Sequence, residues 1–435
     1  MPLRPWPEQA TGVPRSMAAI VLAGSIGTVI EWYDFLIYGT AAALLFNTLF
    51  FPRLDPSTGT LAALGTFAVG FLARPLGGAL FGHFGDRVGR KAMLLVTMAT
   101  MALGTFGIGL LPTYGQIGLW APILLVALRV VQGIGLGGEW GGASLVVLEH
   151  APAGGRGLYG SLVQVGFPLG LIASSGAFAL AGLLPEAVFR AWGWRVPFLA
   201  SAVLLLVGWF VRARVPETPH FERLRRHGSI ARSPVREVLL RDTRALLVAV
   251  GLKLSEVSWV YILTVFVVIY GTATLRLPKA LLLDAILIAS AIELVTIPAF
   301  GWLSDMVGRR IFYVLGALFT AGFGFPLFWM LDTKDPATVT LAIVVALSLG
   351  HGAMFGVQST YFPKLFPARV RYTGASLGFQ VAAALGGGLS PILATSLAAT
   401  FGGTAGVSVL LIILAAITLT GALLARETRR DPLPG

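Results

Sequence analysis

GHFGDRVGRKAMLL (residues 82–95) returns as GWLSDMVGRRIFYV (301–314). Both stretches read G-x3-D-x2-G-R-[KR], and Gly301 stands 219 positions after Gly82. Each copy follows one long apolar run and opens the next. A weaker echo links RGLYGSLVQ (156–164) with RYTGASLGFQ (371–380). A polar motif repeated at the same place in two halves of a chain marks an internally duplicated membrane protein.

Apolar segments extend on either side of both motifs. They lie at roughly 17–46, 60–81, 92–111, 119–148, 156–182 and 194–213, then 245–270, 279–303, 311–331, 338–362, 371–397 and 402–425. Most are long enough for the ~20 residues that cross a bilayer. The reading is an all-α integral membrane protein of twelve transmembrane helices in two six-helix halves. The first bundle spans 17–213, a basic linker 214–243, and the second bundle 244–425. Short tails occupy 1–16 and 426–435. Residues 1–16 hold four prolines and lack the apolar core of a signal peptide.

Composition agrees. The 435 residues are 56% hydrophobic and 12% charged, with a mean hydropathy of +0.82. A soluble chain would carry about 25% charge. The formal net charge of +12 suggests nucleic acid until it is mapped. With both termini inside, about 23 of the basic residues fall in cytoplasmic segments and about 6 in external ones, the positive-inside pattern. Arg74, Arg129 and Lys253 fall within helices. In the linker, SPVREVLL (233–240) reads either as a basic amphipathic helix on the membrane surface or as a solvated connection. The chain has no cysteine, no H-E-x2-H, no G-x-S-x-G and no P-loop. Disulfide, thiol and hydrolase chemistry therefore have no motif, no metal ligands are assigned, and an enzyme is not expected.

The stretch GTVIEWYDFLIYGT (27–40) places two acids in an apolar helix. Facing lipid, a charge costs about 2.5–3.5 kcal/mol. Glu31 and Asp34 are spaced i, i+3 and share a face, so that face points inward. Arg74 lies eight residues before Gly82, about 12 Å up its helix, and Lys253 is placed similarly in the seventh helix. Two cations at similar depth, one from each half, suit an anionic substrate group, since arginine binds a carboxylate bidentately. Glu256, at i+3 from Lys253, offers it local neutralisation instead. Gly133, Gly137 and Gly141 form a packing ladder, and Glu139 stands beside it as a packing, gating or substrate residue. Gln164 and Gln380 occupy echoing positions and are candidate cavity residues or helix contacts. Trp259 is placed among the substrate contacts, whereas most other aromatics (Trp32, Tyr33, Trp140, Tyr261) are read as packing. His351 is a lone intramembrane histidine, read as a helix contact.

The loop at Gly82, Asp86, Arg87, Gly89, Arg90 and Lys91 resembles the hallmark of the major facilitator superfamily. RVVQGIGLGGEWGGA (129–143) resembles its fourth-helix motif. More narrowly, EWYDF, FLARPLGG, QGIGLGGEWGGA, WGWRVPF (192–198) and PETPHFERL (216–224) resemble the metabolite:proton symporters, which include permeases for proline and betaines, 2-oxoglutarate, citrate and shikimate. The resemblance implies the major facilitator fold, alternating access, no cofactor beyond the coupling proton, and a functional monomer in a bacterial-type inner membrane. It implies that Asp34 binds the transported proton and that Arg129 holds its carboxylate between cycles, the alternative being a permanent structural ion pair; Glu31 is read as a coupling or substrate residue or else as a packing one. It also implies that Gly82, Asp86, Arg87, Gly89 and Arg90, with Asp305 and Arg309, latch the outward-facing state. Met306 replaces Arg87 in the second copy, which predicts a reduced network there. The absence of a long coiled-coil tail after RETRRDPLPG argues against osmosensory regulation. The expected activity is proton-coupled import of a small carboxylate-bearing metabolite. The alternatives are import of a zwitterionic osmolyte such as proline or a betaine, or a transport-dead receptor on the same fold.

Overall fold

The computed structural model describes residues 16–431. The tail expected at 1–16 lies outside the described residues except for Ser16, and the C-terminal tail is described as far as Asp431. Among the described residues, twelve helices are long and apolar enough to cross a membrane. They are α1 (Met17–Phe50), α2 (Leu61–Gly85), α3 (Arg90–Leu110), α4 (Trp120–His150), α5 (Ala153–Ala181) and α6 (Gly193–Ala213) in the first half. The second half holds α7 (Thr243–Ala273), α8 (Lys279–Val307), α9 (Arg310–Asp332), α10 (Pro336–Tyr361), α11 (Ala368–Phe401) and α12 (Ala405–Leu424). Every expected apolar segment forms one of these helices.

Among the described residues, three helices are interrupted by a π-turn: α1 at Ala42–Phe46, α7 at Ile262–Phe266 and α10 at Ala346–His351. Such turns widen the ladder by one residue and concentrate at functional positions. α1 and α7 open the two halves, so the interruption follows the repeat.

Small residues bring the helices close. A Cβ on Gly77 of α2 would sit 1.9 Å from the Ile134 carbonyl of α4, and one on Gly137 would sit 2.2 Å from the Arg74 carbonyl. Neither distance is possible for a real side chain, so α2 and α4 touch backbone to backbone. The glycine ladder is thus packing chemistry, and Gly137 fixes the stretch of α2 that carries Arg74.

The linker contains two short helices, Pro219–Arg226 and Pro234–Arg241. The second has two sides. Val238 is buried, and Glu237 pairs with Arg369 at 2.5 Å, whereas Leu239 and Leu240 stay exposed. The segment is therefore docked on the bundle by one face, which neither sequence reading described fully.

Candidate functional site

The loop motifs lie where the two halves meet. The Asp86 carboxylate accepts from the Tyr372 N–H (3.2 Å), the Thr373 N–H (2.9 Å) and the Thr373 hydroxyl (2.8 Å). These donors belong to the first turn of the α11 stretch Arg371–Phe401, where free N–H groups favour an anion. Reciprocally, Asp305 accepts from the N–H groups of Gly157 (2.8 Å) and Leu158 (3.0 Å), in the first turn of Arg156–Gln164. Each half's loop acid caps a helix of the other half, which explains the echo between 156–164 and 371–380.

Further charges surround these contacts between the halves. Arg90 lies 3.5 Å from Asp86 and 3.9 Å from Glu149, and Glu149 is 3.3 Å from Arg371. Arg309 lies 3.2 Å from Asp305. Burial pushes the Asp86 carboxyl up to about 6, against the opposing pull of Arg90 and the Thr373 and Tyr372 hydrogen bonds. At neutral pH it is the carboxylate that accepts all three bonds. Gly89 (φ 134°) and Gly308 (φ 114°) supply the backbone turn that other residues resist. Glu217 accepts from the Arg90 and Lys91 N–H groups (3.1 and 3.2 Å), and Glu427 from those of Arg309 and Arg310 (2.9 Å each). These two glutamates and Glu149 were missed from sequence. The repeated Glu-Thr pair at 217–218 and 427–428 was the available signal. Arg87 corrects an expectation. It is exposed and, among the described residues, hydrogen-bonds only to His83, 3.3 Å away, so Met306 in its place removes nothing from the buried network.

Asparagine at position 86 keeps the shape but loses the charge and one acceptor. Asp86→Asn should slow single-turnover transport, while equilibrium solute affinity stays near the wild-type value. A large affinity defect with unchanged turnover would reassign the residue.

Farther along the helices lies a layer of buried charge. Arg74 packs its guanidinium over Phe35 (4.3 Å) and Phe71 (4.6 Å). Its Nε and Nη2 are buried and donate to nothing. Across the interface between halves, Tyr261 stacks edge-on to Phe71 at 5.1 Å, and its buried hydroxyl is also without a partner. Arg74 interacts electrostatically with both Tyr261 and Glu31, and Glu31 leaves its Oε2 unpartnered. Three unsatisfied polar groups thus converge from α1, α2 and α7. Sequence reading took Tyr261 for packing, because an aromatic residue carries no signal of what its hydroxyl faces.

Lys253, the second cation, is already neutralised. It forms an ion pair with Glu256, donates to Gln358 Oε1 at 3.0 Å, and lies 4.1 Å from the Phe379 ring. The structure does not bring Asp34 and Arg129 into an ion pair. Arg129 donates to Gln132 and lies over Tyr38 (4.1 Å) and Phe35 (4.6 Å). Gln132 in turn donates to the Asp34 backbone carbonyl (3.3 Å) and to Thr105 (2.8 Å). The Gln132 amide thus links Arg129 to the backbone of Asp34, while both Asp34 carboxylate oxygens are buried without a hydrogen-bond partner among the described residues.

Glu139 is held by Arg212 through both carboxylate oxygens and by the Thr97 hydroxyl at 2.9 Å. Arg212 was not singled out from sequence. Gln164 accepts from Trp140 (2.8 Å) and donates to the Phe355 carbonyl (3.2 Å); Gln380 donates to the Leu136 carbonyl (3.2 Å). Both glutamines therefore bridge the halves. Trp259 donates to the Ala346 carbonyl at 2.7 Å and is buried against α10. His351 meets Glu293 and Glu256.

The 219-residue step continues through the membrane. It carries Asp34 to Lys253, Arg74 to Glu293, Gln132 to His351, Leu136 to Phe355 and Glu139 to Gln358. Glu293 and Gln358 were not singled out from sequence, and applying the step beyond the loops would have found them.

Comparison with known proteins agrees with this fold. The sequence profile of the Major Facilitator Superfamily matches residues 25–391. The chain is 42% identical over 428 residues to the shikimate transporter of Escherichia coli K12, covering 98% of each chain. It is 34% identical to the proline/betaine transporter of the same organism, covering 95% of this chain and 84% of that one. Among solved structures, the proton:xylose symporter XylE superposes with a TM-score of 0.74 at 20% identity, covering 96% and 97% of the two chains.

Proposed function

The chain belongs to the major facilitator superfamily, and on that premise we propose that it is a proton-coupled symporter importing a small carboxylate-bearing metabolite. As a member, it is a secondary transporter with twelve membrane spans rather than an enzyme. The observation that carries the substrate class is Arg74, a buried guanidinium with unused donors, facing the other half across Tyr261. A buried cation needs an anion, and a carboxylate presents the geometry that a guanidinium fork fits. Likeness to the shikimate transporter along nearly the whole chain supports a hydroxylated or cyclic acid.

Asp34 is the proposed proton carrier. Arg129 reaches it in another state of the cycle through the Gln132 bridge, and Glu31 answers to the charge on Arg74. The basic distribution supports placing the latch, the linker and both termini in the cytoplasm of a bacterial-type cell. No cofactor is required beyond the proton, and a single copy suffices as the transport unit. The zwitterion reading draws on the 34% identity to the proline/betaine transporter. Against it, guanidinium groups already cover the Phe35 and Phe71 faces that a quaternary ammonium would seek.

The test uses proteoliposomes with an imposed inward proton gradient. Shikimate, its methyl ester and glycine betaine serve as probes. Accumulation of the acid above its external concentration, collapsed by a protonophore, is the expected result. Accumulation of betaine alone would move the substrate class to osmolytes. Absence of uptake for a wide panel of acids and zwitterions would favour a receptor.

A further inference from the structure

We propose that Glu256, His351 and Glu293 form a proton-binding site in the second half of the molecule, separate from Asp34. His351 Nδ1 lies 2.6 Å from Glu293 Oε1, and its Nε2 lies 3.0 Å from Glu256 Oε1. All three side chains are buried. Each close contact needs one proton between its two heavy atoms. A neutral imidazole supplies only one. The second sits on the other ring nitrogen or on one of the carboxyl groups. The observed arrangement is therefore the proton-loaded form, wherever that proton resides among the three groups.

Charge balance agrees. Lys253 forms an ion pair with Glu256. With the extra proton, the four residues sum to zero. Without it, they leave one net negative charge among Phe167 (5.2 Å from the imidazole), Phe355 (4.6 Å) and the aliphatic core, a costly result inside a membrane. Removing the proton also sets two lone pairs against each other across one of the contacts, so the histidine must turn away. His351 closes the π-turn Ala346–His351, a stretch of α10 able to change its ladder. Proton binding thus biases the shape of α10.

Every element around the cluster contributes. α7 presents Lys253, Glu256 and Tyr261, α8 presents Glu293, and α9 presents Tyr313, whose hydroxyl accepts from Gln358 of α10 at 3.2 Å. Gln358 also donates to Glu256 at 3.3 Å. Lys253 links the cluster electrostatically to Arg74 of α2 and Glu31 of α1, while α5 and α11 offer the aromatic rings of Phe167 and Phe379. By the 219-residue step, His351 corresponds to Gln132 and Glu293 to Arg74. The second half therefore places proton-carrying groups where the first half has an amide and a guanidinium.

The role in transport rests on the proton-coupled reading above, whereas the proton binding itself does not. The test is an acid-minus-alkaline infrared difference spectrum of the purified full-length protein in lipid nanodiscs with no solute added. Histidine labelled with ¹⁵N in the ring marks the imidazole modes. Wild type should show an imidazole and carboxyl change that is lost in His351→Gln and in Glu293→Gln, with one proton fewer taken up per molecule. Asp34→Asn should retain it. Glu293→Gln preserves shape and carries the test if His351→Gln fails to fold. Spectra and proton uptake unchanged from wild type in Glu293→Gln would overturn the assignment, even if Asp34 proves to be a coupling residue. Loss of the signal alongside fully coupled transport in Asp34→Asn would uphold it while removing the role given to Asp34.

Discussion

Proteoliposomes carrying Asp34→Asn should take up solute only down its gradient. Asparagine keeps the size and one acceptor but carries no proton through the cycle. For one proton per solute, a gradient of one pH unit supplies about 1.36 kcal/mol, which sustains about a tenfold concentration ratio. The variant should fall from that ratio to about one, while exchange of labelled for unlabelled solute continues. The structure explains why exchange should survive. Arg129 is held by Gln132 and by the Tyr38 and Phe35 rings rather than by Asp34, so losing the carboxylate does not unseat the guanidinium. Arg129→Ala should also abolish accumulation, and it should lower stability as well, because the Gln132 amide oxygen loses its donor and the Tyr38, Phe35 and Phe67 rings lose their cation. Full accumulation by Asp34→Asn would move coupling to another group, with the cluster around His351 first in line.

Arg74→Lys should weaken binding of an acidic substrate by tenfold to a hundredfold. A hydrogen bond to a charged group contributes about 1.5–3 kcal/mol, and the ammonium retains the charge but not the two-pronged fork. Removing Lys253 should do less to the acid contact itself, since Glu256 and Gln358 already satisfy it. The measurement is the affinity of shikimate and of its methyl ester for wild type, Arg74→Lys and Lys253→Ala, by calorimetry or thermal shift. The acid should bind wild type much more tightly than the ester, and Arg74→Lys should erase most of that difference. Equal binding of acid and ester by wild type would remove the carboxylate from the argument. Tyr261→Phe offers a milder check, because it removes the unpartnered hydroxyl facing Arg74 and leaves the contact with Phe71.

The fold was legible in the chain because its causes are local. A span needs only enough consecutive apolar residues, and a duplicated architecture needs only a motif repeated at one step. The intramembrane charges at Glu31, Asp34, Arg74, Arg129 and Lys253 were equally visible, since an apolar helix keeps such residues only where they face inward. Lys253 and Glu256, three positions apart on one helix, could even be paired in advance, because the helical repeat places them side by side.

The remaining partners were settled by tertiary structure. Glu31 and Asp34 share a helix face by spacing. Yet Glu31 interacts with Glu139, Arg74, Arg212 and Lys253, while Asp34 lies beside Thr105 and the Gln132 bridge. Nothing in the sequence tied Glu139 to Arg212, Asp86 to the start of α11, or His351 to two acids on α7 and α8. Those choices depend on how each helix is rotated about its axis and how closely glycines such as Gly77 and Gly137 let neighbours approach. Rotation and approach are set by the packing of all twelve helices together. Sequence alone thus determined which residues had to avoid lipid, and only the packed bundle decided which of them meet.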